Sequence, residues 1–178
     1  MKKYLADYAW LFSIAGIVIF LDQWTKQLVR TNLMHSEIYR PDLWITQYAR
    51  IVNWSNTGAA FGLFQNMNIV FTVLSFIVSA AIIYYFPQVS WHDWTLRLAL
   101  SLQLGGAIGN LIDRLTQGYV TDFISIGAFP VFNVADSSIS VGVAVLVLGM
   151  WLHEQREKTQ PEPIPASPEE PPKETQGE

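Results

Sequence analysis

Cysteine is missing from this chain altogether. Its absence removes disulfides, thiolate metal ligands and a cysteine nucleophile, and it leaves the redox compartment undetermined. Charge is scarce: 15% of the 178 residues are Asp, Glu, Lys or Arg, and much of the net charge of −4 comes from an acidic tail. There is no basic stripe of the kind that nucleic acid requires. Histidine is limited to His35, His92 and His153, without HExxH or any other paired ligand spacing, which argues against a zinc protease. No GxSxG occurs, and no histidine falls near Ser125, Ser137 or Ser138, which argues against a Ser-His-Asp triad. No internal repeat is visible. Elimination leaves carboxylate chemistry, with no cofactor and no metal expected.

What the chain has in excess is apolar sequence. It is 51% hydrophobic, with a mean hydropathy of +0.23, and the apolar residues come in blocks. This is the pattern of a polytopic membrane protein. Tyr8–Leu21 is uncharged, and a helix continuing to Val29 reaches the ~20 residues that a bilayer demands. Its basic start resembles a signal peptide, but no cleavage site leads into a soluble domain, so residues 8–29 read as a retained first span. Ile69–Phe86 is a second span, closed by Pro87. Thr95–Ile112 is a third, with Arg97 expected to snorkel to the interface. Phe132–Leu152 is the fourth, with Asp136 its only charge.

Four spans return both termini to one side. Lys2, Lys3, Arg97, Arg156 and Lys158 then share one face, against Arg30, Arg40 and Arg50 on the other, which favours cytoplasmic termini. Under that topology the costly polar groups converge. Asp22 and Lys26 end span one, Asn110, Asp113 and Arg114 end span three, and Asn133 and Asp136 begin span four, all in the outer leaflet. Asp122 lies in the outer connection. Residues 30–68, roughly forty in number, are too many for a turn and too apolar for a linker. The β-branched and aromatic stretch Leu43–Phe64 predicts a few short strands on the outer surface, with turn chemistry at Asn56-Thr57-Gly58 and Trp44, Tyr48 and Trp54 at the interface. Residues 1–153 form one membrane domain. From Glu154 to Glu178 the composition turns to Pro, Glu, Gln, Lys and Ser, which predicts a disordered tail.

The segment Gly118–Asp136 carries the most informative pair, Asp122 and Asp136, in an otherwise apolar setting. Ionisable groups near hydrocarbon are expensive and mark function by default. Two carboxylates brought together there cannot both ionise, so one holds a proton near neutral pH, the condition of an aspartic protease. Either aspartate alone could be a helix cap or a packing contact; together, within the polar cluster, they point to catalysis. Asn133 and Asp136 share a helix face. Asn110, Asp113 and Arg114 project together after a GxxxG at Gly105 and Gly109. The glycines suit helix packing, and the polar trio suits organisation of the site, against a local Asp113–Arg114 ion pair. Asp22, Lys26 and Arg30 form an i,i+4 row that reads first as a structural salt bridge. Asn56 is either a turn residue or a ligand for substrate backbone. The competing class is a small transporter or assembly subunit whose acids carry protons or bind a cation; that function needs polar groups through the membrane depth, whereas these gather at one end.

Four blocks in order, DQWTK at 22–26, NTGAAF at 56–61, GGAIGNLIDR with GYVTDF through 123, and FNVAD at 132–136, resemble the lipoprotein signal peptidases (signal peptidase II), bacterial inner-membrane aspartic proteases. The resemblance implies a membrane all-α bundle of four transmembrane helices with a small extracytoplasmic β-cradle. It implies cleavage of prolipoproteins before a diacylglyceryl-modified cysteine, at a site near the extracytoplasmic face. Asp122 and Asp136 would be the catalytic dyad. Asn56, Asn110, Arg114 and Asn133 would support substrate or dyad, and Asp22 and Lys26, with Asp113 beside them, would be structural. The expected partners are prolipoproteins and membrane lipid, without nucleic acid, for a protein acting as a monomer.

Overall fold

A computed structural model describes residues 2–40, 46, 48–58 and 67–159. Among the described residues, four helices and three strands follow one another as α1 (Lys2–Asn32), β1 (Ile38–Tyr39), β2 (Ala49–Asn56), α2 (Asn68–Tyr85), α3 (Trp94–Thr116), β3 (Val120–Ile126) and α4 (Val134–Thr159). Helix α1 has no internal proline, and at 1.5 Å per residue its 31 residues reach about 46 Å. Helix α2 contains no charge, fully buries only Ser79 and Ile82, and leaves most of its other apolar side chains exposed. A single 3-10 turn, Phe86–Gln88, carries Pro87 and ends it. Among the described residues, three helical stretches are long and apolar enough to cross a membrane: Tyr4–Asn32, Asn68–Gln88 and Val134–Gln155. Helix α3 is not one of them, because Arg97, Gln103, Asn110, Asp113 and Arg114 dilute its apolar sequence.

Helix α3 is nonetheless the axis of the molecule. It packs against α1, α2 and α4 and buries eleven side chains or glycines along its length. The GxxxG is a packing surface on two sides. A Cβ at Gly105 would stand 2.7 Å from Val18 Cβ of α1, and one at Gly109 would stand 2.7 Å from Asp22 Oδ2. Neighbouring Gly106 lies against α4, where a Cβ would come 2.5 Å from the Ala135 carbonyl oxygen. Helices this close exclude any larger side chain.

The strands form one antiparallel sheet in the order β1-β2-β3. Its third strand was not foreseen: the VTDF segment, placed only in the outer connection, pairs with β2 from Asn56↔Val120 to Ala49↔Ile126. Gly118, at φ +80°, makes the left-handed step that ends α3 and starts this strand. An irregularity between Ile51 and Trp54 shifts the register of β2 against β3 by one residue, as a β-bulge does. Asn56 ends β2, and its Oδ1 accepts from the Gly58 N–H at 2.9 Å, so the expected turn chemistry is present there. Trp44, residues 59–66 and residues 160–178 lie outside the described residues.

Two further expectations change. Helix α4 continues to Thr159, past the predicted start of the tail at residue 154. Residues 154–158 are good helix formers, and Lys158 Nζ pairs with Glu154 Oε1 at 2.6 Å. Arg97 does not snorkel. Its guanidinium is buried, bonded at 2.8 Å to the equally buried Asp7 and at 2.9 Å to the Val89 carbonyl, and it lies 3.9 Å from the Trp91 ring centroid. Asp7 supplies the counter-charge that makes burial tolerable, and the pair ties the start of α1 to the start of α3.

Replacing Arg97 with Met should leave Asp7 buried without a cation and cost about 3–5 kcal/mol, whereas Asp7→Leu/Arg97→Met together should recover most of that loss. Thermal unfolding in detergent checks this; a double variant no more stable than the single one would show that packing, not charge, holds this end.

Candidate active site

The site begins with a helix start. Asn133 precedes α4, and its Oδ1 accepts from the Asp136 N–H at 2.9 Å, while the Asn133 N–H donates back to Asp136 Oδ2 at 3.3 Å. This reciprocal pair is a capping box, with Asp136 as its acidic third residue. The cap therefore fixes the Asp136 carboxylate against the first turn of α4. The other end of the same asparagine reaches the sheet: Asn133 Nδ2 donates to Asp122 Oδ1 at 2.7 Å. One buried side chain thus bridges the two aspartates.

Asp122 lies in β3 opposite Trp54 and is 1% exposed. Its second oxygen accepts from Asn56 Nδ2 at 2.9 Å. Because Asn56 Oδ1 is held by Gly58, the amide can present only its donor to the carboxylate. Burial pushes the Asp122 carboxyl up to about 7, and the neighbouring Asp136 adds to the rise, against the opposing pull of Asn56, Asn133 and the Lys26 ammonium.

Asn110 on α3 completes the ring. Its Nδ2 donates to Asp136 Oδ1 at 2.8 Å, and its Oδ1 accepts from Asn133 Nδ2 at 3.1 Å and from Lys26 Nζ at 2.9 Å. Behind it, Lys26 bonds Asp22 at 2.8 Å and lies 3.4 Å from Asp113, with all three side chains fully buried. Asp22 Oδ1 also accepts from the Ala135 N–H, which anchors α4 to α1. Arg30 does not extend the Asp22–Lys26 row; it crosses to Asp113 at 3.2 Å and to Thr121 Oγ1 at 3.1 Å. The local Asp113–Arg114 pair, the alternative to an organising role, is not formed. Asp113 turns to α1 and to the Thr121 N–H at 2.9 Å, whereas Arg114 turns to a cavity, 5.5 Å from the Phe71 ring centroid.

That cavity has a volume of about 740 Å³. Asn56, Asn110, Arg114, Asp122 and Asp136 form its polar wall, and Phe71, Leu74 and Val78 of α2 with Ile139 and Val141 of α4 form the apolar one. Five of the nine candidate residues therefore face one space. Asn133 stands just behind Asp122 and Asp136, and Asp22, Lys26 and Asp113 form the buried layer beneath. Sequence reasoning missed Thr121, which links β3 to Asp113 and Arg30, and Gln23, whose Nε2 reaches Asp113 Oδ1 at 3.2 Å and the Gly109 carbonyl at 3.0 Å. Each adjoins a chosen aspartate, but an uncharged neighbour carries no signal of its own. Among the described residues no three His, Cys, Asp or Glu side chains gather closely enough to hold a metal ion. Such a wall can hold and move protons beside an apolar ligand.

Comparison with known proteins gives the geometry a family. Residues 14–152, which contain every candidate residue, match the family described as Signal peptidase (SPase) II. The lipoprotein signal peptidase of Halalkalibacterium halodurans is 40% identical over 151 residues, 83% of this chain and 95% of that protein. The lipoprotein signal peptidase of Caldanaerobacter subterraneus is 44% identical over 137 residues, 75% of this chain and 90% of its own length. A solved bacterial membrane enzyme superposes with a TM-score of 0.75 at 29% identity, over 86% of this chain and 93% of the other. A second superposes with a TM-score of 0.70 at 31% identity, over 79% and 91%. With its four motif blocks inside the matched span and its helices built around one small sheet, the chain belongs to the signal peptidase II family, the lipoprotein signal peptidases.

Proposed function

We propose that this protein is an intramembrane aspartic endopeptidase that cuts prolipoproteins before the diacylglyceryl-modified cysteine, with Asp122 and Asp136 as its dyad. The observation that carries the reading is the bridge through Asn133: two carboxylates from different elements, Asp122 bonded to its side-chain amide and Asp136 to its backbone N–H, at the wall of one cavity. The dyad shares one proton and titrates as a pair. Its ionised member takes a proton from water as the water oxygen attacks the scissile carbonyl carbon. Its protonated member gives its proton to the carbonyl oxygen. The gem-diol then collapses, the C–N bond breaks, and the amine leaves with a proton returned from the dyad. No metal or covalent intermediate takes part.

Asn56, Asn110 and Asn133 hold the carboxylates, and Arg114 offers a cation to the substrate on the cavity side. The apolar wall from α2 and α4 suits acyl chains and the hydrophobic signal helix. In this reading α3 is the fourth crossing, shielded from lipid by its neighbours, and both termini are cytoplasmic. Residues 30–68 and the sheet lie outside, the dyad sits near the extracytoplasmic face, and the protein acts as a monomer in the bacterial inner membrane. The transporter alternative loses support because the polar groups of the site form one closed layer. Among the described residues, the remaining buried charges, Asp7 and Arg97, pair with each other.

Asp122→Asn and Asp136→Asn should each abolish cleavage of a lipidated substrate while the protein still inserts, since an amide cannot shuttle the proton. Wild-type cleavage should decline as pH rises above about 7, where the shared proton is lost, and decline again in acid, where both carboxyls are protonated. The linked stability effect has a definite sign. Because the folded pKa of Asp122 is raised above 3.8, its contribution is fully present below that value and is lost as pH rises through about 7. The melting temperature of Asp122→Asn relative to wild type should therefore improve between pH 5 and pH 8; a difference that stays flat across that range would show that burial does not strain this carboxylate.

Cleavage should also depend on substrate lipid. Each buried CH₂ adds ~0.8 kcal/mol of membrane affinity, and part of that energy orients the scissile bond, so kcat as well as KM should suffer without acylation. One prolipoprotein peptide, with and without cysteine diacylation in the same bilayer, makes the comparison. Equal kcat/KM for the two forms would leave a general intramembrane protease.

A further inference from the structure

Lys26 makes more contacts than an ion pair requires. An ammonium has three protons, and here they face Asp22 at 2.8 Å, Asp113 at 3.4 Å and the neutral Asn110 Oδ1 at 2.9 Å. Asp113 already has Arg30, so the four charges Asp22, Lys26, Asp113 and Arg30 balance without any bond to Asn110. A buried pair kept only for stability is a poor bargain, since apolar replacements of similar volume are often as stable. The third contact leads to the dyad.

We infer that Lys26 is a positioning residue for the reaction: through Asn110 it sets the orientation and the protonation of the Asp122–Asp136 pair. The inference rests on the dyad reading above. An asparagine amide can face either way, and a flipped Asn110 would aim a lone pair at the Asp136 carboxylate. Lys26 and Asn133 both donate to Asn110 Oδ1, so Nδ2 is left to donate to Asp136 Oδ1. Lys26 locks that choice with a charge-assisted bond, roughly twice as strong as a neutral one. Its charge also acts through space, favouring the ionised form of the nearby Asp122.

The other charged groups around Lys26 are accounted for on every packed element. On α1, Asp22 is its partner, and Arg30 is engaged by Asp113 and Thr121. On α3, Asp113 shares Lys26 with Asp22, and Arg114 stands on the cavity side near Phe71. On β3 and α4 the facing groups are Asp122 and Asp136 themselves. Lys26 is thus the cation hydrogen-bonded into the amide network that holds the dyad.

The sign of the effect follows. Removing the ammonium makes both ionisations of the dyad harder, so the acid and alkaline limbs of the pH profile should both move to higher pH. The test measures kcat and kcat/KM against pH for Lys26→Met, with a diacylated prolipoprotein peptide in detergent. The expected result is a displacement of both limbs by about half a unit or more and a fall in kcat of about tenfold or more, with KM changed much less. Asp22→Asn/Lys26→Met guards against a folding defect, because it leaves no unpaired Asp22 charge and keeps the acceptor for the Ala135 N–H; it should show the same displacement. Asp122→Asn, run beside them, separates the two readings. If that variant is inactive while both Lys26 variants keep the wild-type limbs, merely scaled down, Lys26 is structural and the inference falls alone. If Asp122→Asn cleaves normally, the dyad falls and takes the inference with it.

Discussion

A carboxylate withdrawn from water must be given hydrogen bonds, a counter-charge or a proton, and that demand organises this protein. Asp136 receives two N–H donors from Asn133 and Asn110, and Asp122 receives two from Asn133 and Asn56. The donors come from α3, from the junction before α4, and from the end of β2. None of them can serve unless the three elements meet at fixed distances. The sheet, the close helix packing and the capping box therefore answer the same requirement.

Asn133 is where the local and the long-range requirements join. A capping box is ordinary local chemistry that starts a helix. Here its acidic member is also one of the paired carboxylates, and the cap side chain has an amide N–H₂ left over for Asp122 and Asn110. Serine or threonine could cap the helix equally well, but neither could offer a second nitrogen donor. The choice of asparagine is explained by the bridge rather than by the cap.

Helix α3 shows how a polar helix can sit at the centre of an apolar bundle. Its charged residues are used at opposite ends, Arg97 with Asp7 and Asp113 with Lys26 and Arg30. Between them, Gly105, Gly106 and Gly109 bring α1 and α4 near enough for those bonds to close. Glycine normally weakens a helix. In α3 it permits backbone approach that dispersion and interhelical hydrogen bonding then exploit.

Much of the site was legible without coordinates because ionisable residues are rare in apolar sequence. Asp22, Lys26, Asn110, Asp113, Asp122 and Asp136 stand out against their surroundings, and helical periodicity is enough to place Asn133 beside Asp136. Apolar runs likewise locate the helices. Partnership was not legible, because it depends on side-chain direction at long sequence separation. Asp113 adjoins Arg114 in sequence, yet it bonds Lys26, Arg30 and the Thr121 N–H. Arg97 looks like an interfacial anchor until Asp7, some ninety residues away, proves to be its counter-ion. The strand Val120–Ile126 was hidden for the same reason: its partner is β2, and a short segment becomes a strand only when another edge accepts its hydrogen bonds. Composition and periodicity alone determined that this chain is a membrane protein and pointed to Asp22, Asp113, Asp122 and Asp136 as one cluster. Only the tertiary structure decided which donor each carboxylate received, since that depends on where separate helices and strands are brought together in space.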